Sequence, residues 1–254
     1  MYAELILRPQ RLAEQVIYPD QARKLVAAAV GAYAPQGDPR AAAFQRFFGR
    51  DEQGKTLQGR IGDDREGQGF GRAPEIVFDG GRGFLRVYGI GAAGAELLLT
   101  LSTDLYRAIS AAHGVAQQQL NQGTCEIDRN VKGQMVPHRI RLMVASKRPG
   151  DRLGGLESDR TLTLLRRHIA GGLISQSELL GRAMQIPRDE EIEILEGRSY
   201  PVPIREGVIA SGLKDVVFAM PCRLKGPWLA GHLRSRGYGF MRPVAPTSRA
   251  SEGA

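Results

Sequence analysis

The sequence predicts an α+β fold, and three patterns carry this prediction. Apolar residues recur every three or four positions over residues 20–33, which places them on one face of a helix. Over residues 139–145 the apolar residues Ile140, Leu142 and Val144 recur at every second position, as in a strand. The Asp79-Gly80-Gly81 turn separates two apolar stretches, as in a β-hairpin. Helices and paired strands are therefore both expected.

The first half of the chain is predicted to run strand, helix, strands and helix. The strands are expected over residues 2–7, 75–78, 83–88 and 96–101, and the helices over 20–33, 39–48 and 103–113. Residues 49–71 hold glycine and polar residues with almost no apolar side chain, which indicates a long loop. Such a loop either clamps a ligand or is disordered. Residues 115–122 are rich in glutamine and ambiguous.

The second half is predicted to run strand, helix, strand, strand, helix, strand. The strands are expected over residues 139–145, 191–195, 216–220 and 238–241, and the helices over 156–184, interrupted at Gly171-Gly172, and 228–233. This order is the split βαβ pattern of ferredoxin-like folds. We therefore expect tandem ferredoxin-like domains over residues 1–135 and 136–254. The first carries the inserted helix and loop, and the second ends in a glycine-rich loop.

The charge of the chain favours an anionic partner. The net charge is +8, and only six of the 35 basic residues are lysines. Arginine binds phosphate through a planar fork and stacks on bases, so this bias favours RNA, although a GC-rich genome would produce the same bias. Charge alone also fits an anionic membrane surface.

Two cysteines, Cys125 and Cys222, are too few for a disulfide framework, and neither belongs to a CxxC motif. No acidic spacing indicates a metal site, and we expect no cofactor. The longest nearly apolar stretch, residues 25–34, is about half of a membrane span. With neither an export signal nor a membrane anchor recognisable, a cytoplasmic protein without a membrane partner is expected.

Residues 231–243 are the strongest candidate for a binding loop. Three glycines alternate there with a histidine, arginines and aromatic residues, and residues 216–251 contain no Asp or Glu. Residues 236–240, Arg-Gly-Tyr-Gly-Phe, match the opening of the first ribonucleoprotein motif. Only 11 residues follow Pro243, however, and an ordinary RNA-recognition domain needs a further helix and strand there. The loop is therefore predicted to close a second RRM-like, ferredoxin-like domain.

This arrangement resembles the RAMP superfamily of CRISPR proteins, specifically the endoribonucleases that cut repeat RNA. They are similar in their tandem ferredoxin-like domains, in length, and in a glycine-rich loop near the C-terminus that follows a strand and a short helix. Residues 216–220, 227–233 and 231–240 stand in those places. The arginine bias and the long glycine loop are most similar to the type IV representatives.

The resemblance implies a metal-independent cut in which the ribose 2′-hydroxyl attacks the phosphate and leaves a 2′,3′-cyclic phosphate and a 5′-hydroxyl. It implies cleavage of precursor RNA at the base of the repeat hairpin. The mature crRNA would stay bound, in a complex with other CRISPR effector subunits. The alternative is a non-catalytic RAMP-type subunit that binds guide RNA without cutting it.

The resemblance also guides the choice of site residues. Many of these enzymes carry a histidine in or just after the first helix, whereas the first histidine here is His113. We assign phosphate stabilisation to Arg23, which conflicts with the dipole of the first helix, and to Arg242 on the closing strand. Tyr18 or His232 would handle protons.

Basic and aromatic residues near the predicted loops and helices are expected to bind the RNA. They are Lys24, Arg40, Arg46, Arg166, Arg167, Arg223, Lys225, Arg234, Arg236, Tyr238 and Phe240. The stretch over residues 164–186 also has a pattern permissive for a helix-turn-helix, but DNA binding ranks well below RNA binding.

Overall fold

The computed structural model describes residues 1–35, 37–49, 73–146, 153, 156–205 and 208–244. The predicted loop over residues 49–71 lies outside these residues, apart from Gly49. The helices are α1 (Pro19–Tyr33), α2 (Ala41–Phe47), α3 (Gly91–His113) and α4 (Asp159–Leu179). None of the helices in the described part of the chain is long and apolar enough to cross a membrane.

The strands fall into two larger sheets and one small ribbon. The first sheet contains β1 (Tyr2–Pro9), β2 (Ile76–Gly81), β3 (Phe84–Ile90) and β4 (Val115–Gly123). The second contains β6 (Val136–Ser146), β7 (Glu193–Arg205), β8 (Val208–Met220), β10 (Trp228–Leu229) and β11 (Phe240–Pro243). The ribbon pairs β5 (Glu126–Asp128) with β9 (Arg223–Lys225).

The first sheet has the antiparallel order β2-β3-β1-β4, which with α1 and α3 is the ferredoxin-like arrangement. Alternate residues of β1, such as Leu5 and Leu7, pack against these two helices. The opposite face carries Tyr2 and Glu4. It is covered by the second half of the chain, so β2 is buried on both faces.

The second sheet has the order β10-β11-β6-β8-β7, and α4 covers one of its faces. Its strands β11, β6, β8 and β7 and helix α4 again follow the ferredoxin-like order. The helix predicted over residues 228–233 is wrong, because Trp228 and Leu229 pair with β11. Gly226 and Gly231 have φ of 81° and 74°, so the short segment between them cannot continue a helix.

The strand predicted over residues 96–101 is also wrong, because α3 runs unbroken through it. The run Leu97 to Leu99 reads equally well as a buried strand, which explains the error. In the structure Leu98, Leu101 and Leu105 recur at helical spacing and face the core. Leucine favours helices, so local preference and packing agree.

Helix α4 continues through Gly171 and Gly172, which excludes the predicted interruption and the helix-turn-helix. The physical reason is close packing. A Cβ atom at Gly172 would overlap the carbonyl oxygen of Leu229 on β10. Gly172 therefore lets the helix approach the sheet instead of ending it.

The predicted hairpin of β2 and β3 is confirmed, but its turn lies at Arg82 and Gly83 instead of at Asp79-Gly80-Gly81. Gly83 has a φ of 71°, which a tight turn requires. Gly80 serves a different purpose, which is to let the backbone of Ile17 approach β2 closely. A Cβ atom at Gly80 would lie 2.6 Å from the carbonyl oxygen of Ile17. Asp79 is therefore a residue of the sheet, directly opposite Arg86 on β3.

The two halves of the fold meet through an apolar cluster of Val77, Tyr88, Ile90 and Leu229. Phe240 of β11 packs on this cluster, with its ring centroid 5.3 Å from that of Tyr88. The contact places β11, the last strand in the described part of the chain, beside the face of the first sheet that α1 and α3 leave uncovered.

Candidate active site

The glycine-rich loop, residues 231–239, rests on the first half of the fold. Gly237 has a φ of 80°, and a Cβ atom there would overlap the carbonyl oxygen of Phe78 on β2. The same atom would lie 2.7 Å from the Cβ of Pro19, the first residue of α1. The loop therefore adjoins the N-terminal end of α1, as the predicted site requires.

Arg242 follows this loop on β11 and crosses to the first sheet. Its Nη2 donates a hydrogen bond of 2.8 Å to Asp79 Oδ2. The Asp79 side chain is only 8% exposed, whereas that of Arg242 is 57% exposed. Burial raises the pKa of Asp79, and the charges of Arg242, Arg86 and Arg141 oppose that rise. Arg242 is thus anchored at one nitrogen and still open to a ligand.

Arg23 lies on α1 and is partly buried. Its Nη2 donates a hydrogen bond of 3.2 Å to the carbonyl oxygen of Phe48, just after α2. The helix begins at Pro19, so Arg23 occupies the second turn, where the dipole conflict that singled it out is weaker. Its neighbour Lys24 is exposed and forms a 3.6 Å ion pair with Asp20.

Tyr18 precedes α1 and is half exposed. Its backbone N–H donates to Gln21 Oε1 at 3.0 Å. The guanidinium carbon of Arg141 lies 5.8 Å from the centre of the Tyr18 ring, a cation–π distance. Arg141 is therefore a functional candidate that the sequence reasoning missed, although the alternation Arg139-Ile140-Arg141 indicates two outward-facing arginines.

His232 is held by different elements. Its backbone N–H donates to the Val144 carbonyl at 2.8 Å, and its ring lies 5.0 Å from the ring of His168 on α4. Burial and the charge of Arg234 lower the pKa of His168. His232 therefore adjoins α4 and Val144 on β6, whereas Tyr18 precedes α1 and adjoins Arg141, which also lies on β6.

Two loop residues predicted to bind RNA point inward. Arg234 is 8% exposed and donates to Ser175 Oγ on α4 at 2.6 Å. Burial lowers the pKa of Arg234 to about 10. Tyr238 is buried beside Val144 and Val202, and burial raises its pKa to about 12. These placements disfavour direct RNA contacts, because the Arg234 side chain packs against α4 and the Tyr238 side chain packs against Val144 and Val202. Arg236 remains partly exposed.

The other predicted RNA-binding residues are spread over three places. On the first half, Arg46 is exposed on α2, and Arg40 binds Asp38 and stacks over the ring of Tyr33 at 4.5 Å. On α4, Arg167 is exposed and Arg166 donates to the Ile192 carbonyl. On β9, Arg223 is exposed and Lys225 pairs with Glu126. The first group contacts α1 through Tyr33, the last residue of that helix, at the end opposite to Pro19.

A row of arginines continues from Arg242 across the second sheet, and the sequence reasoning missed it. Arg139 on β6 is the direct cross-strand partner of Arg242. Asp215 on β8 accepts from Arg139 at 2.5 Å and from Arg198 on β7 at 3.4 Å. All three arginines are exposed. The row spans four strands, a distance of about 15 Å at the usual strand spacing.

The described residues contain no group of three or more His, Cys, Asp or Glu side chains that could hold a metal ion. Cys125 and Cys222 are both buried as free thiols, and burial raises the pKa of each to about 11.

Solved structures similar to the chain share its fold. One described as Csf5, a CRISPR-Cas type IV Cas6 crRNA endonuclease, has a TM-score of 0.61 at 18% identity, with 96% of this chain and 99% of that chain covered. Two structures of Cas6b have TM-scores of 0.58 and 0.55 at 14% and 15% identity. Each match covers 96% of this chain. It covers 98% of the first Cas6b chain and 100% of the second.

A comparison with curated proteins gives no sequence match. The family model described as type IV CRISPR-associated endonuclease Csf5 matches residues 5–246, nearly the whole chain. Both the RAMP resemblance and the tandem ferredoxin-like fold are thereby confirmed. The chain belongs to the Csf5 family of type IV CRISPR-associated endonucleases.

Proposed function

We propose that this protein is a crRNA-processing endoribonuclease that cuts CRISPR precursor RNA at the base of the repeat hairpin, without a metal ion. The observation that carries the proposal is the docking of the glycine-rich loop on α1 and β2. It associates the α1 end with the strand that carries Arg242, which donates to Asp79 at 2.8 Å. Family membership supports the endonuclease activity.

In the proposed reaction the 2′-oxygen forms a bond to phosphorus while the bond from phosphorus to the 5′-oxygen breaks. A proton leaves the 2′-hydroxyl, and another joins the departing oxygen. Arg23 and Arg242 stabilise the charge on the phosphorane. Tyr18 is favoured over His232 for proton transfer, because Tyr18 precedes α1 and has Arg141 over its ring.

The proposed RNA interface extends outward from these residues. Lys24 and Arg46 lie on the helices beside the site, and Arg236 lies on the loop. The row of Arg139 and Arg198 would follow the strand of RNA that leaves Arg242, since arginines contact successive phosphates without reading sequence. We further propose that the cut RNA stays bound with other effector subunits.

The test of this function is incubation of the purified protein with a labelled repeat hairpin in EDTA. Cleavage is expected, and its 5′ product should end in a 2′,3′-cyclic phosphate. A matched hairpin with one 2′-deoxy nucleotide just upstream of the scissile phosphate should stay intact while binding equally well. Cleavage of the deoxy hairpin would contradict attack by the 2′-hydroxyl.

The second candidate function is a non-catalytic RNA-binding subunit, favoured by the absence of any histidine before His113. Tight, salt-sensitive binding of a hairpin that remains uncut would support this alternative. It would also overturn the proposed endoribonuclease.

The loop arginines provide a further prediction. Arg236→Ala is expected to weaken hairpin binding and reduce the slope of log K against log salt by about 0.7 to 0.9, the value for one lost phosphate contact. Arg234→Ala should leave that slope unchanged and lower the free energy of unfolding by about 2 kcal/mol, because it removes a buried hydrogen bond and leaves a cavity. Salt titrations and urea unfolding of both variants distinguish the two roles. A smaller salt slope for Arg234→Ala would show that Arg234 does reach the RNA.

A further inference from the structure

Asp79 is a buried carboxylate in the contact between the two halves of the fold. It lies on β2 of the first sheet and accepts from Arg242 on β11 at 2.8 Å, a bond between residues 163 positions apart. It is also 3.8 Å from Arg86 Nη1. A buried carboxylate needs such partners, because its charge is otherwise costly to remove from water.

Asp79 is itself held by a row of polar side chains that crosses the first sheet. Arg86 is directly opposite Asp79, and its Nε lies 3.2 Å from Glu4 Oε1 on β1. Glu4 Oε2 accepts from Asn121 on β4 at 2.8 Å. The row thus uses one residue from each strand, and it lies on the sheet face that carries Tyr88 and meets β11.

Arg242 supplies a positive charge in direct contact with this row. Asp79 and Glu4 carry negative charges, Arg86 and Arg242 carry positive ones, and Arg141 adds positive charge near Asp79. Without Arg242 the buried Asp79 carboxylate would lose the arginine that donates a hydrogen bond to it. The first sheet therefore favours Arg242 in the position where one of its nitrogens binds Asp79 Oδ2.

We propose that Asp79 is a positioning residue that fixes the guanidinium of Arg242 for the reaction. This inference rests on the proposed function, because it assigns Arg242 to the phosphate. Binding Asp79 through Nη2 restricts the rotamers of Arg242 and leaves its other donors for the substrate. Positioning in advance of the reaction matters, since a displacement of about 1 Å can cost about 100-fold in rate.

The test is a double-mutant cycle on single-turnover cleavage of the repeat hairpin. Asp79→Asn keeps the shape of the side chain and removes its charge. It is expected to lower the rate constant about 10- to 100-fold while hairpin Kd changes less than about threefold. In an Arg242→Ala background the same change should alter the remaining rate less than about twofold, because the two residues act together.

A matched control removes a different carboxylate from an arginine pair. Glu191 accepts from Arg129 at 2.5 Å in the second half of the fold, and Glu191→Gln is expected to cleave at the wild-type rate. Thermal unfolding of every variant separates a change in rate from a loss of folded protein. If the Asp79→Asn variant fails to fold, Asp79→Ser tests the loss of the same negative charge with a smaller side chain.

Equal effects of Asp79→Asn with and without Arg242 would overturn the inference and leave the proposed function intact. A wild-type rate for folded Asp79→Asn would do the same. If the wild-type protein itself left the hairpin uncut, both the proposed function and this inference would be wrong.

Discussion

Replacing Arg23 by alanine is expected to lower cleavage of the repeat hairpin at least about 100-fold, as loss of one electrostatic stabiliser of a transition state does. The Kd of the hairpin should change only a few-fold, because one phosphate contact is a small part of the total binding energy. Single-turnover cleavage and a binding titration on the same RNA measure the two effects.

The control for Arg23→Ala is Arg82→Ala, which removes an exposed arginine paired with Glu14 in the β2–β3 turn. It should cleave at the wild-type rate. Arg23 also donates to the Phe48 carbonyl, so the thermal unfolding of the variant must be compared with that of the wild type. A folded Arg23→Ala variant that cuts normally would place the active site elsewhere.

Replacing Gly237 by alanine is expected to displace the glycine-rich loop from the first half of the fold. The new Cβ atom would overlap the carbonyl oxygen of Phe78 and crowd Pro19, at a φ of 80°. The left-handed backbone costs about 1 to 2 kcal/mol for alanine, and overpacking adds about 1 to 3 kcal/mol. Cleavage should fall together with the free energy of unfolding, because β11 and Arg242 follow directly on this loop.

Gly133→Ala is the matched control for Gly237→Ala. Gly133 has a φ of 73°, close to that of Gly237, but a Cβ atom there would have nothing within 4 Å. The Gly133→Ala variant should therefore lose only the cost of the left-handed backbone, about 1 to 2 kcal/mol of unfolding free energy, and cleave normally. Urea unfolding and cleavage assays on the two variants measure the difference. Equal losses would show that the Phe78 contact is unimportant.

The parts of the fold that sequence predicts best are those with a clear period. Apolar residues recur about every four positions in helix α1 and every two positions in strand β6. The predicted positions of both elements therefore agree with the structure. The beginning of α3 has an unbroken apolar run, which is compatible with either element. At residues 228–233 the glycines with positive φ and the pairing with β11 decide the outcome, and neither can be predicted from local sequence.

The candidate site shows the same division. Arg23 and Arg242 can be selected from sequence by their charge and by their places on the first helix and last strand. The residues that surround them cannot be predicted from sequence. Asp79, for example, is 163 residues from Arg242 and belongs to a predicted turn. The inward orientation of Arg234 and Tyr238 depends on α4 and the second sheet. A prediction from charge alone would place all of these loop side chains in solvent.

The bond from Arg242 to Asp79 can form only late in synthesis, because Arg242 follows Asp79 by 163 residues. The first sheet needs only residues 2–123 and can form while the ribosome is still adding the second half. Arg242 reaches that sheet only after β11 has been made and has inserted beside β6. On the proposed function, a nascent chain would lack Arg242 at the site until β11 docks, and RNA bound earlier is expected to stay uncut.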